Sequence, residues 1–272
     1  MAVLNRSTSP GRAIVSLIEE IALSAGEIAL AHFRSLAGVP VERKGHLDLV
    51  TKADREVEEF LIASLRKLFP NDGIFGEEGG DIAGVSGRVW VIDPIDGTFN
   101  FVRGGQNWAI SIGLYENRRP VFGVIYAPVR DLMLTGGEAV ETLLNGNPMP
   151  SLPALDLSQA STGIGLHPSV ATEDRLEVLR FISDELRISF RCCGSATLSL
   201  IEVAMGETDG YVALGDSTWD VMAGLPILGN LGVFHTIDWD RTDLRAKLRF
   251  ACGSEGFLEK VRPLLERVSV AA

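Results

Sequence analysis

The sequence predicts an α+β fold of alternating helical and sheet layers, and three observations predict it. Helical periodicity runs through residues 11–35 and 54–69, short apolar runs joined by tight turns follow from 89 to 135, and strand and helix patterns alternate after residue 150. The first half thus reads as α+β with a largely antiparallel sheet, the second as α/β.

The first helix carries Ile14, Leu17, Ile18, Ile21, Ala25, Ile28, Ala29 and Phe33 at amphipathic spacing. The second carries Val57, Phe60, Leu61, Leu65 and Leu68 and is stopped by Pro70, with Thr51 or Ala53 near its start. Asp54 and Glu56 suit the positive end of its dipole. Val89-Trp90-Val91-Ile92 then reads as a buried strand that stops at Asp93-Pro94. Strands are expected at 108–116, 119–126 and 131–135, the first two joined by a turn at Glu116-Asn117-Arg118. The Pro/Ser-rich bridge at 147–153 marks a boundary between halves 1–150 and 151–272 of one compact unit. Beyond it come strands near 160–165, 188–191, 209–214 and 248–252, and helices at 173–185, 196–205, 219–230 and 255–268.

A net charge of −11 argues against a basic nucleic-acid-binding face. Cys192, Cys193 and Cys252 form neither a disulfide framework nor a zinc motif, which points to a reduced, cytoplasmic setting with the thiols packed in the core. The N-terminus has no basic region followed by an apolar stretch, so no leader is expected. Apolar runs are broken well short of the roughly 18 residues of a membrane span.

Three segments set carboxylates beside glycine at the end of an element. They are Gly76-Glu77-Glu78-Gly79-Gly80, Asp93-Pro94-Ile95-Asp96-Gly97-Thr98, and Trp219-Asp220 opening a helix with Ala223 and Gly224. Any one of these acids alone would pass as a turn former, a helix charge or a solvated pair. Their combination points elsewhere. Asp93 and Asp96 stand three residues apart and repel each other unless cations lie between them. Oxygen ligands with no His or Cys nearby favour magnesium or manganese over zinc. Gly97 lets a ligand approach the backbone, and Thr98 opens a short helix to Phe101 whose first N–H groups suit a phosphate. Motifs of P-loop nucleotide sites and of serine hydrolases are absent, and His32, His46, His167 and His235 adjoin no nucleophile.

The chain resembles the inositol monophosphatase family of magnesium-dependent, lithium-sensitive phosphatases. The resemblance covers nearly the whole chain and rests on four ordered blocks: Asp48-Leu49-Val50-Thr51 with Asp54, Gly76-Glu77-Glu78, Asp93 to Thr98 followed by Asn100-Phe101, and Trp219-Asp220 with Ala223-Gly224. It implies a five-layered αβαβα sandwich, commonly a homodimer. It implies Glu77, Asp93 and the carbonyl of Ile95 as ligands of a first Mg2+, and Asp93, Asp96 and Asp220 as ligands of a second. Glu77 reaches a third through water, giving two or three ions per site. Thr98 and Asp54 resemble the pair that orients and helps deprotonate the attacking water, and the resemblance implies that the Gly97 and Thr98 N–H groups hold phosphate oxygens. The reaction expected from the resemblance is in-line attack of water on phosphorus, without a phosphoenzyme, the alcohol leaving from the side of Asp220.

Gly194-Ser195-Ala196 matches the segment that faces the substrate, and Asp96 can bond a substrate hydroxyl. Inositol-selective members carry Glu where this chain has Ala213, although Asp216 offers a carboxylate at a different spacing. Arg103 follows the Asn100-Phe101 block and fits either the rim of the site or the surface. Inositol monophosphate is the first substrate expected, with histidinol phosphate, fructose 1,6-bisphosphate and 3′-phosphoadenosine compounds as alternatives. A partner-binding regulatory protein associated with the transcription machinery is the alternative of another class.

Overall fold

Two helices, α1 (Arg12–Phe33) and α2 (Lys52–Leu68), form the outer layer of the first half. The protein is described by a computed structural model over residues 11–36, 41–45 and 48–268; His46 and the first ten residues, read above for a leader, lie outside it. Val15, Ile18, Ala22, Ala25 and Ala29 form the buried stripe of α1. Each large aliphatic side chain so buried contributes about 1.5–3 kcal/mol. The helices are pinned by His32 Nε2 and Glu56 Oε2 at 2.6 Å, so His32 is a structural residue. A hairpin of β1 (Val41–Gly45) and β2 (Asp48–Thr51), which sequence periodicity did not anticipate, leads into α2.

The first sheet holds β3 (Gly73–Gly76), β4 (Arg88–Asp96), β5 (Ala109–Glu116), β6 (Arg119–Ala127), β7 (Leu132–Gly137), β8 (Val140–Leu144) and β9 (Asn147–Pro148), paired in that order. Only β3 and β4 run parallel; the other pairs are antiparallel. Trp90, Ile92, Ile110, Ile112 and Val124 face α1 and α2, while Val91, Ala109, Ile125 and Leu134 face the opposite side.

Strand β4 departs from the expected end at Asp93. It continues through Pro94 to Asp96, and its register against β5 shifts between Asp93, opposite Ser111, and Asp96, opposite Ala109. Pro94 has no N–H for the ladder, and the extra residue forms a β-bulge. In a regular strand, residues three apart point to opposite faces. The bulge returns Asp96 to the face of Asp93.

The second sheet has the order β11-β10-β12-β14-β13. Its strands are β10 (Ser161–Leu166), β11 (Ser189–Arg191), β12 (Gly210–Ser217), β13 (Phe234–His235) and β14 (Lys247–Gly253). Between the sheets lie α5 (Ala196–Ala204), α6 (Thr218–Val221) and α7 (Gly224–Gly229), after the short α3 (Thr98–Val102) of the first half. Outside the second sheet lie α4 (Thr172–Arg180) and α8 (Glu255–Arg267), packed on Val212, Leu214 and Ala251. Tyr211, Ala213 and Phe250 face inward, in one core with α5, α7 and the inner face of the first sheet. The result is five layers, αβαβα.

Two expected helices are interrupted. The pattern at 173–185 is α-helical to Arg180 and then a π-helical turn over Phe181–Leu186. The pattern at 219–230 is broken at Met222-Ala223, because Pro226 has no N–H for the Met222 carbonyl. Among the described residues no helix is long and apolar enough to cross a membrane.

Candidate active site

Helix starts aim three of the site carboxylates. Thr51 caps α2 and closes a capping box with Asp54, whose Oδ2 accepts from the Thr51 N–H at 2.8 Å and the Thr51 hydroxyl at 2.5 Å. The other oxygen, Oδ1, lies 3.3 Å from the Thr98 hydroxyl, which also reaches the Ile95 carbonyl at 3.1 Å. Asp54 is fully buried, and burial raises its pKa against the lowering effect of the Thr51 hydrogen bonds.

Ser217 caps α6 and forms the equivalent box with Asp220; its N–H donates to Asp220 Oδ2 at 2.7 Å. The third carboxylate, Asp96, sits on the start of α5. Its Oδ2 accepts from the Ser195 hydroxyl at 2.7 Å and the Thr197 N–H at 2.6 Å. Each acid therefore has one oxygen occupied by a helix start and another to offer elsewhere.

The β4 bulge and these caps bring Asp93, Asp96 and Asp220 together, with one carboxylate oxygen of each within 4.8 Å of the others. Asp93 is held by the Ile95 N–H at 3.0 Å. Gly97, next in the chain, has φ of 95°, and a Cβ there would lie 2.5 Å from the Asn107 carbonyl. Only glycine takes this corner without displacing backbone.

Glu77 stands outside the group of three but close enough to Asp93 and Asp220 to repel both. Its loop is held by a residue that sequence reading missed. Glu58 of α2 is buried, and its two carboxylate oxygens accept the Glu78 and Gly80 N–H groups, each at 2.9 Å. A Cβ at Gly76 or Gly80 would come within 2.2 or 2.4 Å of Glu58 Oε1, which explains the flanking glycines. A signal was present. Asp54, Val57, Glu58, Leu61 and Leu65 form one buried stripe, so two acids occupy core positions of an otherwise amphipathic helix.

The segment Gly194-Ser195-Ala196 is fastened to the β4 loop by Asn100, whose Nδ2 lies 2.8 Å from the Asn107 carbonyl, 2.9 Å from that of Cys193 and 3.1 Å from that of Gly194. Asn100 was legible only as part of a motif, without a role. Arg103 is exposed and lies over the Phe99 ring at 5.5 Å. The thiols are not all in the core, as Cys192 is exposed. Burial pushes Cys193 up to about 11 and Cys252 up to about 12, which leaves both as thiols rather than nucleophiles at neutral pH.

Burial raises Asp93 and Asp220 well above the usual carboxylate range, and repulsion from the neighbouring acids adds to it. Asp96 is raised by burial against the bonds from Ser195 and Thr197. Asp216, which accepts the Tyr211 hydroxyl at 2.8 Å, is pushed from 3.8 up to about 7, chiefly by burial. Such groups hold protons in the fold that the unfolded chain has released, so their stabilising effect is present at low pH and lost as pH rises through the folded values. In EDTA, the melting temperature should fall as pH rises from about 5.5 to about 8, with each extra proton held worth about 1.4 kcal/mol per pH unit. Saturating magnesium should flatten this slope, because cations replace the protons. Thermal melts in both buffers check it; a flat profile in EDTA would refute it.

A profile of the inositol monophosphatase family matches residues 12–268. The inositol-1-monophosphatase of Bacillus subtilis is 37% identical over 70% of this chain and 72% of its own length. The protein called Nus factor SuhB in Xylella fastidiosa is 32% identical over 80% of this chain and 79% of its own. The crystal structure of the extragenic suppressor protein suhB from Bartonella henselae superposes with a TM-score of 0.86 at 28% identity, covering 94% of this chain and 99% of that one.

Proposed function

The chain belongs to the inositol monophosphatase family, and from that premise we propose that it hydrolyses the phosphate monoester of a small hydroxyl-rich alcohol, inositol monophosphate first, by direct in-line attack of water. The observation that carries this reading is the convergence of Asp93, Asp96 and Asp220 beside the Thr98–Asp54 pair.

Divalent cations fit these residues. The donors are all oxygens, three carboxylates converge within 4.8 Å, and their mutual repulsion asks for positive charge. Glu77, Asp93 and the Ile95 carbonyl would hold one Mg2+, Asp93, Asp96 and Asp220 a second, and Glu77 the approach to a third. When bound, such ions supply charge for the phosphate oxygens and Lewis acidity for a water. The reading extends to lithium inhibition, a homodimer and a cytoplasmic setting without a nucleic-acid partner, the last supported by the net charge of −11.

The chain's own groups do the rest. Thr98 Oγ1, tied to Asp54 Oδ1, orients the attacking water, and buried Asp54 accepts the proton. The Gly97 and Thr98 N–H groups face the phosphate oxygens. Gly194, Ser195 and Ala196, fixed through Asp96 and Asn100, line the alcohol together with Asp220. Thr98→Ala should lower kcat by about 10²–10⁴-fold with KM little changed, measured by steady-state kinetics in magnesium.

A panel of inositol phosphates, histidinol phosphate, fructose 1,6-bisphosphate and 3′-phosphoadenosine phosphate with magnesium tests the activity and ranks the alternatives. No hydrolysis of any member, or a trapped covalent phosphoenzyme, would overturn this mechanism. The relative called a Nus factor favours a second reading, a regulatory protein that binds the transcription machinery. Turnover lost in Asp93→Asn, with partner binding retained, would separate the two activities.

A further inference from the structure

Strand β12 carries a second bulge. Against β14, Leu214 stands opposite Arg249 and Asp216 opposite Leu248, so Gly215 is the extra residue. Gly215 has φ of 97°, a conformation that glycine takes freely. Regular alternation would put Asp216 on the outer face with Val212 and Leu214. The bulge turns it to the inner face, that of Tyr211 and Ala213.

There the Tyr211 hydroxyl donates to Asp216 Oδ2 at 2.8 Å. Gly165 of the paired strand β10 makes room for both, since a Cβ on it would lie 2.0 Å from the Tyr211 oxygen and 3.1 Å from Asp216 Oδ1. Ala213, between them in the chain, contributes only a methyl. Asp216 is half-buried and close enough to Asp96 and Asp220 for mutual repulsion, with Lys247 as its nearby cation. Lys247 itself donates to Ser217, the cap that aims Asp220. A carboxylate with one oxygen already satisfied, beside the acids of the phosphate site, is placed to receive one more donor.

We propose that Asp216 is the specificity determinant of this site, accepting an O–H or N–H donor of the substrate's alcohol through Oδ1 in place of an acceptor at residue 213. The inference rests on the phosphatase reading. The substrate class it names is an alcohol with a hydroxyl or ammonium group near the phosphate ester. Tyr211 is a positioning residue that fixes the carboxylate.

The test compares wild type, Asp216→Ala, Asp216→Asn and Tyr211→Phe, with magnesium, on three substrates. Inositol 1-phosphate carries hydroxyl donors, histidinol phosphate carries an ammonium, and the leaving group of p-nitrophenyl phosphate carries no donor. Asp216→Ala should lower kcat/KM for at least one donor-bearing substrate by roughly 10–100-fold more than for p-nitrophenyl phosphate, mainly through KM, as expected for a lost hydrogen bond to a charged group. Asp216→Asn keeps a neutral acceptor, so it should recover part of the loss on a hydroxyl and little on an ammonium. Tyr211→Phe should show a smaller loss with the same substrate preference. Equal losses on all three substrates, or none, overturn the inference while the phosphatase reading stands. A wild type inactive on all three, and on fructose 1,6-bisphosphate and 3′-phosphoadenosine phosphate as well, overturns both.

Discussion

Asp93→Asn is expected to abolish turnover and, at the same time, to yield a protein more stable than the wild type when cations are removed. The two effects have one origin. Asp93 is 1% exposed, and burial and the charges of Glu77, Asp96 and Asp220 all disfavour its ionised form. The amide that replaces the carboxylate would still accept the Ile95 N–H through its carbonyl oxygen, so the strand end keeps its bond while the charge is lost. With the shared ligand of both proposed ions neutralised, kcat/KM should fall by about 10³-fold or more. In EDTA near pH 8, relief of repulsion worth about 1 kcal/mol or more should raise the melting temperature by roughly 2–4 °C or more. Magnesium should stabilise the wild type but barely move the variant. Retained activity would remove Asp93 from the mechanism, and a lower melting temperature in EDTA would refute the repulsion account.

Glu58→Ala should be the most damaging change outside the cluster. It leaves the half-buried Glu78 and Gly80 N–H groups without their acceptor, at a cost of up to about 1–3 kcal/mol each. The melting temperature should drop by roughly 5 °C or more. Because those amides belong to the loop of Glu77, the magnesium concentration for half-maximal activity should rise as well. Glu58→Gln retains one acceptor oxygen and should fall between the two. A variant with lowered stability but an unchanged magnesium requirement would show that Glu58 supports the fold alone.

The layers were legible in the sequence because amphipathic periods survive in isolation: the α1 stripe and the long strands β5 and β6 follow directly from residue type. Several short strands were not, although the three-residue β11 was anticipated at 188–191. β3 is Gly-Ile-Phe-Gly, and β9 and β13 have two residues each, so neither propensity nor alternation marks them. The acids of the site were legible as a set, since carboxylates gathered beside glycine and proline at the ends of elements suit a cation better than they suit a turn or a solvated face. Their geometry was not legible, because alternation places Asp93 and Asp96 on opposite faces and only pairing with β5 shows the shift. Glu58 was hidden for the opposite reason: an acid in a helix is ordinarily solvated, and its burial depends on a loop about twenty residues further along the chain.

The two bulges, at Pro94 and Gly215, make the molecule sensitive to strand register as well as to composition. Were either strand to pair as a regular ladder at its present length, every carboxylate would stay in the sequence, yet Asp96 or Asp216 would rotate out of the middle layer; deleting the bulged residue itself would keep the acid on its face. A change of register without any change of residue is thus a route by which relatives with the same acids can diverge in chemistry. In comparing them, the register of β4 on β5 and of β12 on β14 carries as much information as the identity of the residues themselves.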